Sequence, residues 1–531
     1  MDPTGWRGEE LAVKIALAQI NPIIGAFAAN CRKICDLINR AKREGCDLVV
    51  FPELALTGSP PQGLLADPAF VKSSQAYWEP IIQASRSLGV ICGVVASNPK
   101  PWGMPYQSSA LFCADGVIKA LKHKRSLSAK AFDGGSPFEP ADGDAGIDFK
   151  GKRISLSFGE ELFEAPSLHF TSLAGEPDAA SPSTGERPDI LIAISAYTYI
   201  FGNHRLVQER LSSLARSRNQ HLVWVNQVGG NDSRVFQGHS LALDRVGQIC
   251  LHGADFEEDV LFWETTSPER DRPKRLSEEA EVLAALRLGI RDYSDKCGYT
   301  SALVSLSGDV GSAVTACLAK LVYGRNGVRA VVVDGGRSVP NHSAGGRMLA
   351  DRLGIPWHLV TIEQGVAAVQ EALASLGEED RPSFGAPSLA ARLSGVVLAA
   401  YRESTESLLL LADECFGRCT SGGSLLVLRD VPGSFVSRLA EFISSEFGWI
   451  PRELIEGIDM ERRQALEAEH TGIPESLHPT SVPKEPAQSV LCRAGFGSGG
   501  DMRPPTALQV FGRASAYLKD IPLAHQYRPE R

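Results

Sequence analysis

The sequence predicts an α/β protein of two domains. Short apolar, strand-like segments alternate with helix-like segments through the first half. A charged stretch at residues 266–280 then interrupts the pattern, and the alternation restarts beyond it. The 531 residues exceed what one hydrophobic core usually organises. An apolar content of 43% and a charged content of 22% are ordinary globular values.

In order, residues 12–18 read as a buried strand and 47–51 as a second. Between them, residues 30–43 place Ile34, Leu37, Ile38 and Ala41 at helical spacing, with Asn30 as the expected cap. A helix is expected at 78–88 and a strand at 89–96, and residues 110–113 turn at Asp115-Gly116 into Val117-Ile118. Strands at 154–158, 190–194 and 222–225 and a helix at 205–218 complete the first domain, residues 10–265. Residues 173–188 are polar and breaker-rich, hence a surface loop. Residues 266–282 are taken as the linker and 283–531 as the second domain. There, strands are expected at 302–306, 328–333 and 357–362, with helices at 312–323 and 344–353. Residues 466–505, rich in Pro, Ser and Gly, read as an irregular excursion.

Composition excludes some function classes. Lys and Arg number 54 against 63 Asp and Glu, a net charge of −9. That argues against a nucleic-acid partner, whose affinity comes mostly from clustered cations. No apolar stretch approaches the roughly 20 residues that span a bilayer, and residues 1–7 carry no signal-peptide core. No membrane association and a cytoplasmic, reduced location are the expectation, with eleven scattered cysteines and no disulfide framework.

Two strings carry the chemistry. Phe51-Pro52-Glu53-Leu54-Ala55-Leu56-Thr57-Gly58-Ser59-Pro60-Pro61 puts Glu53 just past a buried strand, at the edge where α/β sheets build sites. Val225-Asn226-Gln227-Val228-Gly229-Gly230-Asn231-Asp232 follows another. Both resemble blocks of the nitrilase-type glutaminase domain of glutamine-dependent NAD synthetases. Leu288-Gly289-Ile290-Arg291-Asp292-Tyr293, Leu353-Gly354-Ile355-Pro356 and Phe511-Gly512-Arg513 are similar to segments of that family's synthetase domain. The resemblance implies a nitrilase-like α/β sandwich followed by a doubly wound parallel-sheet domain of the adenine nucleotide α-hydrolase type.

The resemblance also implies a Glu-Lys-Cys glutaminase triad: general base, charge stabiliser and nucleophile. Glu53 matches the Glu, and Lys124 is the best match for the Lys, with Lys122 and Lys130 as competitors. The nucleophile position, before the acidic pair Glu160-Glu161, holds Gly159. No cysteine occurs between Cys113 and Cys250, so no small shift of alignment restores the thiol. Ser157 would be a poor substitute, two residues away on the same strand face. In the synthetase half the family's phosphate loop, Ser-Gly-Gly-x-Asp-Ser, reads Ser307-Gly308-Asp309-Val310-Gly311-Ser312. Such loops converge backbone N–H groups on phosphate at a helix N-terminus. A carboxylate at Asp309, about 4 Å from phosphate oxygens, would repel them by roughly 4 kcal/mol. A capped helix start without nucleotide function is the favoured alternative.

Other family positions fail together. Ser388-Leu389-Ala390-Ala391-Arg392-Leu393-Ser394 keeps Arg392 alone of an Asn-x-Gln-Ala-Arg-x-Arg helix. Leu411-Ala412-Asp413-Glu414-Cys415 replaces a Thr-Gly-Asn-Lys-Ser-Glu loop, and Pro432-Gly433 stands where a Lys is expected. Cys415 and Cys419 read as free thiols, Cys31 and Cys35 as core-facing, Lys122-His123-Lys124-Arg125 as a solvated basic run, and the eleven histidines show no cluster. The expectation is a catalytically degenerate homologue acting through binding, regulation or assembly, with no metal. ATP and magnesium enter only if the synthetase site retains function. A dinucleotide or adenylate ligand, an active paralogue and a homo- or hetero-oligomer are the expected partners. The alternative is an ammonia-using or altered ATP-dependent amide ligase making NAD or a related product.

Overall fold

The computed structural model describes residues 12–125, 138–141, 146–163, 188–267, 276–335, 343–375, 386–412, 423–455, 506–507 and 510. The chain divides into two compact units, residues 1–300 with 506–531, and residues 301–505.

The first unit runs β1 (Lys14–Gln19), α1 (Phe27–Arg43), β2 (Leu48–Val50), α2 (Pro68–Gln75), α3 (Trp78–Ala84), β3 (Gly89–Ser97), β4 (Tyr106–Ala114) and β5 (Val117–His123). It continues with β6 (Ile147–Phe149), β7 (Lys152–Phe158), β8 (Ile190–Ser195), α4 (Asn203–Arg218) and β9 (His221–Asn226). Then come the hairpin β10 (Val228–Asn231) and β11 (Arg234–Gln237), followed by β12 (Leu241–Leu243), β13 (Ile249–His252), β14 (Asp259–Glu264) and α5 (Glu278–Cys297). Two six-stranded sheets form, ordered β14-β1-β2-β3-β4-β5 and β13-β12-β9-β8-β7-β6.

Period-two burial makes the layers. On β1, Ile15 and Leu17 face Ile154, Leu156, Ile192 and Val223 of the other sheet, while Ala16 and Ala18 face Ile34 and Ile38 of α1. The second sheet buries Leu191, Ala193 and Trp224 against Val207, Leu211 and Leu214 of α4. The result is helix, sheet, sheet, helix, with the strand ends β2 and β7 to β9 free to build a site.

The helix expected to begin at Asn30 begins three residues earlier, at Phe27, with Ala26 at the cap. Asn30 is spent elsewhere: its amide bonds Ile23 N (3.0 Å), Ile23 O (2.8 Å) and Leu56 O (2.9 Å), tying the loop after β2 to the loop before α1. The expected helix at 78–88 stops at Ala84. Cys31 is buried and Cys35 half-buried. The helix expected to open the second domain is α5, capped by Ser277, whose Oγ accepts from Ala280 N at 3.2 Å. It packs on β10 and β11 of the first unit. There Lys296 Nζ donates to Asn21 Oδ1, Gly230 O and Asn231 Oδ1 at 2.7–2.8 Å and lies 3.5 Å from Asp292 Oδ2.

The second unit is β15 (Ala302–Ser305), α6 (Val310–Tyr323), β16 (Val328–Asp334), α7 (Ser343–Leu353), β17 (Trp357–Thr361), α8 (Glu363–Ala374), α9 (Ala386–Thr405), β18 (Leu408–Leu411), β19 (Ser424–Leu426) and α10 (Gly433–Phe447). The strands run parallel in the order β17-β16-β15-β18-β19. The sheet is wound outward both ways from β15, so the loop after β15 sits at the switch point where such folds bind ligands. The expected loop at 173–188 except Pro188, the excursion at 466–505, and Lys130, Cys415, Cys419 and Phe511-Gly512-Arg513 lie outside the described residues. Among the described residues no helix is long and apolar enough to cross a membrane.

Candidate active site

Glu53 is placed by a backbone turn after β2. Leu54 adopts φ +54°, and the turn lies directly on Gly93 of β3. A Cβ at Gly93 would come within 2.6 Å of Glu53 Cα, so the turn needs a bare backbone beneath it. Antiparallel pairing of β4 with β5 brings Ser108 and Lys124 to the same edge, Lys124 N donating to Ser108 O at 2.9 Å. Glu53 Oε1 accepts from Ser108 Oγ at 2.8 Å and from Lys124 Nζ at 3.1 Å. Lys124 Nζ also donates to Glu160 Oε2 at 2.8 Å. Lys124 is seated on Glu53, Lys122 lies within β5 opposite Ala110, and Lys130 lies outside the described residues.

The side chains of Glu53 and Lys124 are each 7% exposed. Burial pushes the Glu53 carboxyl up, even though Lys124 and Ser108 favour its ionised form. For Lys124 burial acts downward, but Glu53 and Glu160 together outweigh it and hold the ammonium above the ordinary lysine range. The expected solvated run 122–125 is therefore not solvated at Lys124. Its positive charge is locked between two carboxylates.

Gly159 follows β7 and starts a short 3-10 turn, Glu160–Leu162, with its N–H on Ile194 O at 2.9 Å. Its φ −53° and ψ −48° are open to any residue. Space is what is missing. A Cβ there would lie 2.7 Å from Ser195 Cβ and 2.8 Å from Trp224 Cη2, with Ser195 Oγ closer still. Trp224 is braced by Phe163 and Tyr197, ring centroids 5.6 Å and 6.2 Å away. Ser157 is turned to Glu161, donating to Oε2 at 2.9 Å, and Arg125 N donates to Glu161 Oε1 at 2.5 Å. The site thus keeps a buried acid and a buried cation and closes the place where a nucleophile would project. Ser195 and Trp224 escaped the sequence reading. The position of Ser195 at the end of a buried strand was the one available signal.

At the second centre, Asp309 caps α6. Its Oδ1 accepts from Ser312 N at 2.8 Å, Ser312 Oγ donates to Asp309 O at 2.9 Å, and Ser307 Oγ donates to Asp309 Oδ2. Gly308 makes the turn at φ +86°. A Cβ at Gly311 would meet Ala412 Cβ at 3.1 Å and Asp309 Oδ1 at 3.2 Å. The loop's own carboxylate holds an N–H that a phosphate would use, so these residues do not fit a triphosphate and its magnesium. Arg392 and its neighbours lie on α9.

A second cluster was not foreseen. His239, His252 and Asp255 gather their ligand atoms within 4.8 Å of one another, which corrects the expectation of no histidine cluster. Their segments, distant in sequence, are brought together by the pairing of β12 with β13 and by an isolated bridge from Gly238 to Asp255.

Fold and site together define a carbon–nitrogen hydrolase-type domain followed by a nucleotide-ligase-type domain. The carbon-nitrogen hydrolase family model matches residues 14–158 and the NAD synthase family model residues 282–456. The chain is 29% identical over 465 residues to the glutamine-dependent NAD(+) synthetase of Synechocystis sp., covering 83% of this chain and 82% of that one. It is 27% identical over 513 residues to that of Xylella fastidiosa (strain 9a5c), covering 92% and 91%. Its fold matches the glutamine-dependent NAD+ synthetase of Acinetobacter baumannii, solved with adenosine diphosphate, at TM-score 0.73 and 24% identity over 84% and 85% of the chains. For the Cytophaga hutchinsonii synthetase the TM-score is 0.67 at 14% identity over 83% and 82%. In both halves, and in their order along the chain, the protein is similar to glutamine-dependent NAD synthetases.

Proposed function

We propose that this chain is a family member that turns over neither glutamine nor ATP and acts through binding, regulation or assembly. The observation that carries the reading is Gly159, at the position where the family places its cysteine, with Ser195 and Trp224 filling the volume a side chain would need. Without a nucleophile no acyl intermediate forms, however well Glu53 and Lys124 are held. The self-capped loop at Asp309 supports the same reading for the ligase half. An intact double sheet and an intact parallel sheet leave a scaffold able to associate with an active copy of the family or to hold a dinucleotide or adenylate.

The purified full chain is tested with glutamine alone, and with nicotinate adenine dinucleotide, ATP and either glutamine or ammonium. Neither glutamate release nor NAD formation is expected. NAD from ammonium would replace this reading with that of an altered ATP-dependent amide ligase. Glutamate release would overturn it outright. Light scattering of the chain, alone and mixed with an active relative, tests the assembly role.

A further inference from the structure

The cluster around His239 is independent of both centres described above. His239 follows β11, His252 ends β13 and Asp255 lies in the loop after it. His239 Nδ1 is 2.6 Å from Asp255 Oδ1, and His252 Nε2 is 2.9 Å from His239 Nδ1 and 3.2 Å from its Nε2. The two rings stand edge to face with centroids 4.1 Å apart. Gln208 of α4 holds His239 Nε2 from the other side at 2.7 Å.

Two features mark this as a built arrangement. His239 adopts φ +58°, a backbone conformation uncommon for a residue with a side chain. The backbone around it is also clamped: Phe256 N donates to Gln237 O at 2.8 Å, and Gln237 Nε2 donates to Asp255 Oδ1 at 3.1 Å.

Two imidazole rings and a carboxylate converge here, and each can present a lone pair to a common point. The geometry points to a binding site for a divalent cation of the zinc class, ligated by His239, His252 and Asp255. Two histidines and a carboxylate are a donor set for such ions. Tetrahedral coordination with bonds of about 2.0–2.1 Å separates donors by roughly 3.4 Å. The His239–Asp255 and His239–His252 separations of 2.6 Å and 2.9 Å reach that by spreading less than 1 Å, and all three ligand atoms already lie within 4.8 Å of one another. When Nδ1 of His239 bears the metal, its Nε2–H donates to the Gln208 carbonyl; turning that amide about costs nothing else in the contact. His239 and His204 also line a cleft of about 30 Å³ beside the cluster. His204 Nδ1 lies 3.2 Å from Glu281 Oε1.

The test uses the full chain, stripped with chelator and titrated with Zn2+ by calorimetry and with Co2+ by visible absorption. One equivalent per chain is expected, with cobalt d–d bands and no thiolate charge-transfer band. His239→Ala with His252→Ala abolishes that equivalent, and Gln208→Leu weakens it about 10–100-fold. Where the double variant does not fold, His252→Gln, at a half-buried strand end, gives the same readout by losing affinity at least about tenfold. Absence of a bound equivalent, binding that survives the histidine substitutions, or a thiolate-type cobalt spectrum overturns the proposal.

Discussion

A Cβ on Gly159 would lie 2.7 Å from the Cβ of Ser195. Real side chains do not approach so closely, so a side chain at position 159 requires Ser195 and Trp224 to give way.

Gly159→Cys alone is therefore expected to destabilise the fold by about 1–3 kcal/mol, as overpacking does, and to release no glutamate from glutamine. Ser195→Gly in the same chain removes the opposing Cβ and hydroxyl and should recover part of that loss. A double-mutant cycle on urea unfolding measures the coupling. Simple additivity would show that the two positions do not contend for the same space.

Lys124→Met leaves the Glu53 and Glu160 carboxylates without their cation. Breaking a buried pair from one side costs about 3–5 kcal/mol, read at neutral pH by urea unfolding. The folded state raises the Lys124 pKa above its ordinary 10.5, so the folded chain holds that proton more tightly than the unfolded chain. The stability it contributes is complete below pH 10.5 and is lost as pH climbs through the folded value. The difference between wild type and variant should stay level from neutral pH upward and shrink only in the alkaline range.

Lys296 anchors α5. Burial, the largest influence, lowers its pKa, and Asp292 opposes that shift. Lys296→Met strands the Asp292 carboxylate and the Asn21, Gly230 and Asn231 oxygens, at a cost of about 3–5 kcal/mol. Gly230 N donates to Asp292 Oδ2 at 2.8 Å. Its amide should exchange with solvent faster in the variant, and unchanged protection there would show that α5 is held by apolar contacts instead.

Asp309→Gly with Gly311→Asp rewrites the loop as Ser-Gly-Gly-x-Asp-Ser. Removing the cap at 309 costs about 0.5–2 kcal/mol, and it frees Ser312 N for phosphate. Calorimetry with ATP and magnesium is expected to detect binding by the double variant and none by wild type. Equal binding by both would mean that the Asp309 carboxylate does not obstruct the loop.

Much of the fold was legible because it is written in local periodicity. The buried strand at 190–194, the helix at 205–218 and the alternation restarting at 302 all appear in the structure within two residues of their expected ends. Asn30 was misread because a cap-forming residue and a loop-tying residue look alike in one dimension. Its partners Ile23 and Leu56 lie on either side of the helix start. The histidine cluster was illegible for the same reason: His239, His252 and Asp255 meet through strand pairing, which no short window of sequence contains.

The sequence by itself determined the two-part α/β order, the lack of any cysteine from 114 to 249, and the substitution of Asp309 and Gly311 in the loop after β15, because these depend on residue identity and short-range pattern. Only the tertiary structure decided that Lys124 is the lysine clamped by Glu53, that Ser195 and Trp224 occupy the space beside Gly159, and that Asp309 turns inward to cap its own helix. Those outcomes depend on which side chains the sheets bring within a few ångströms of one another, and packing at that range is set by the whole fold.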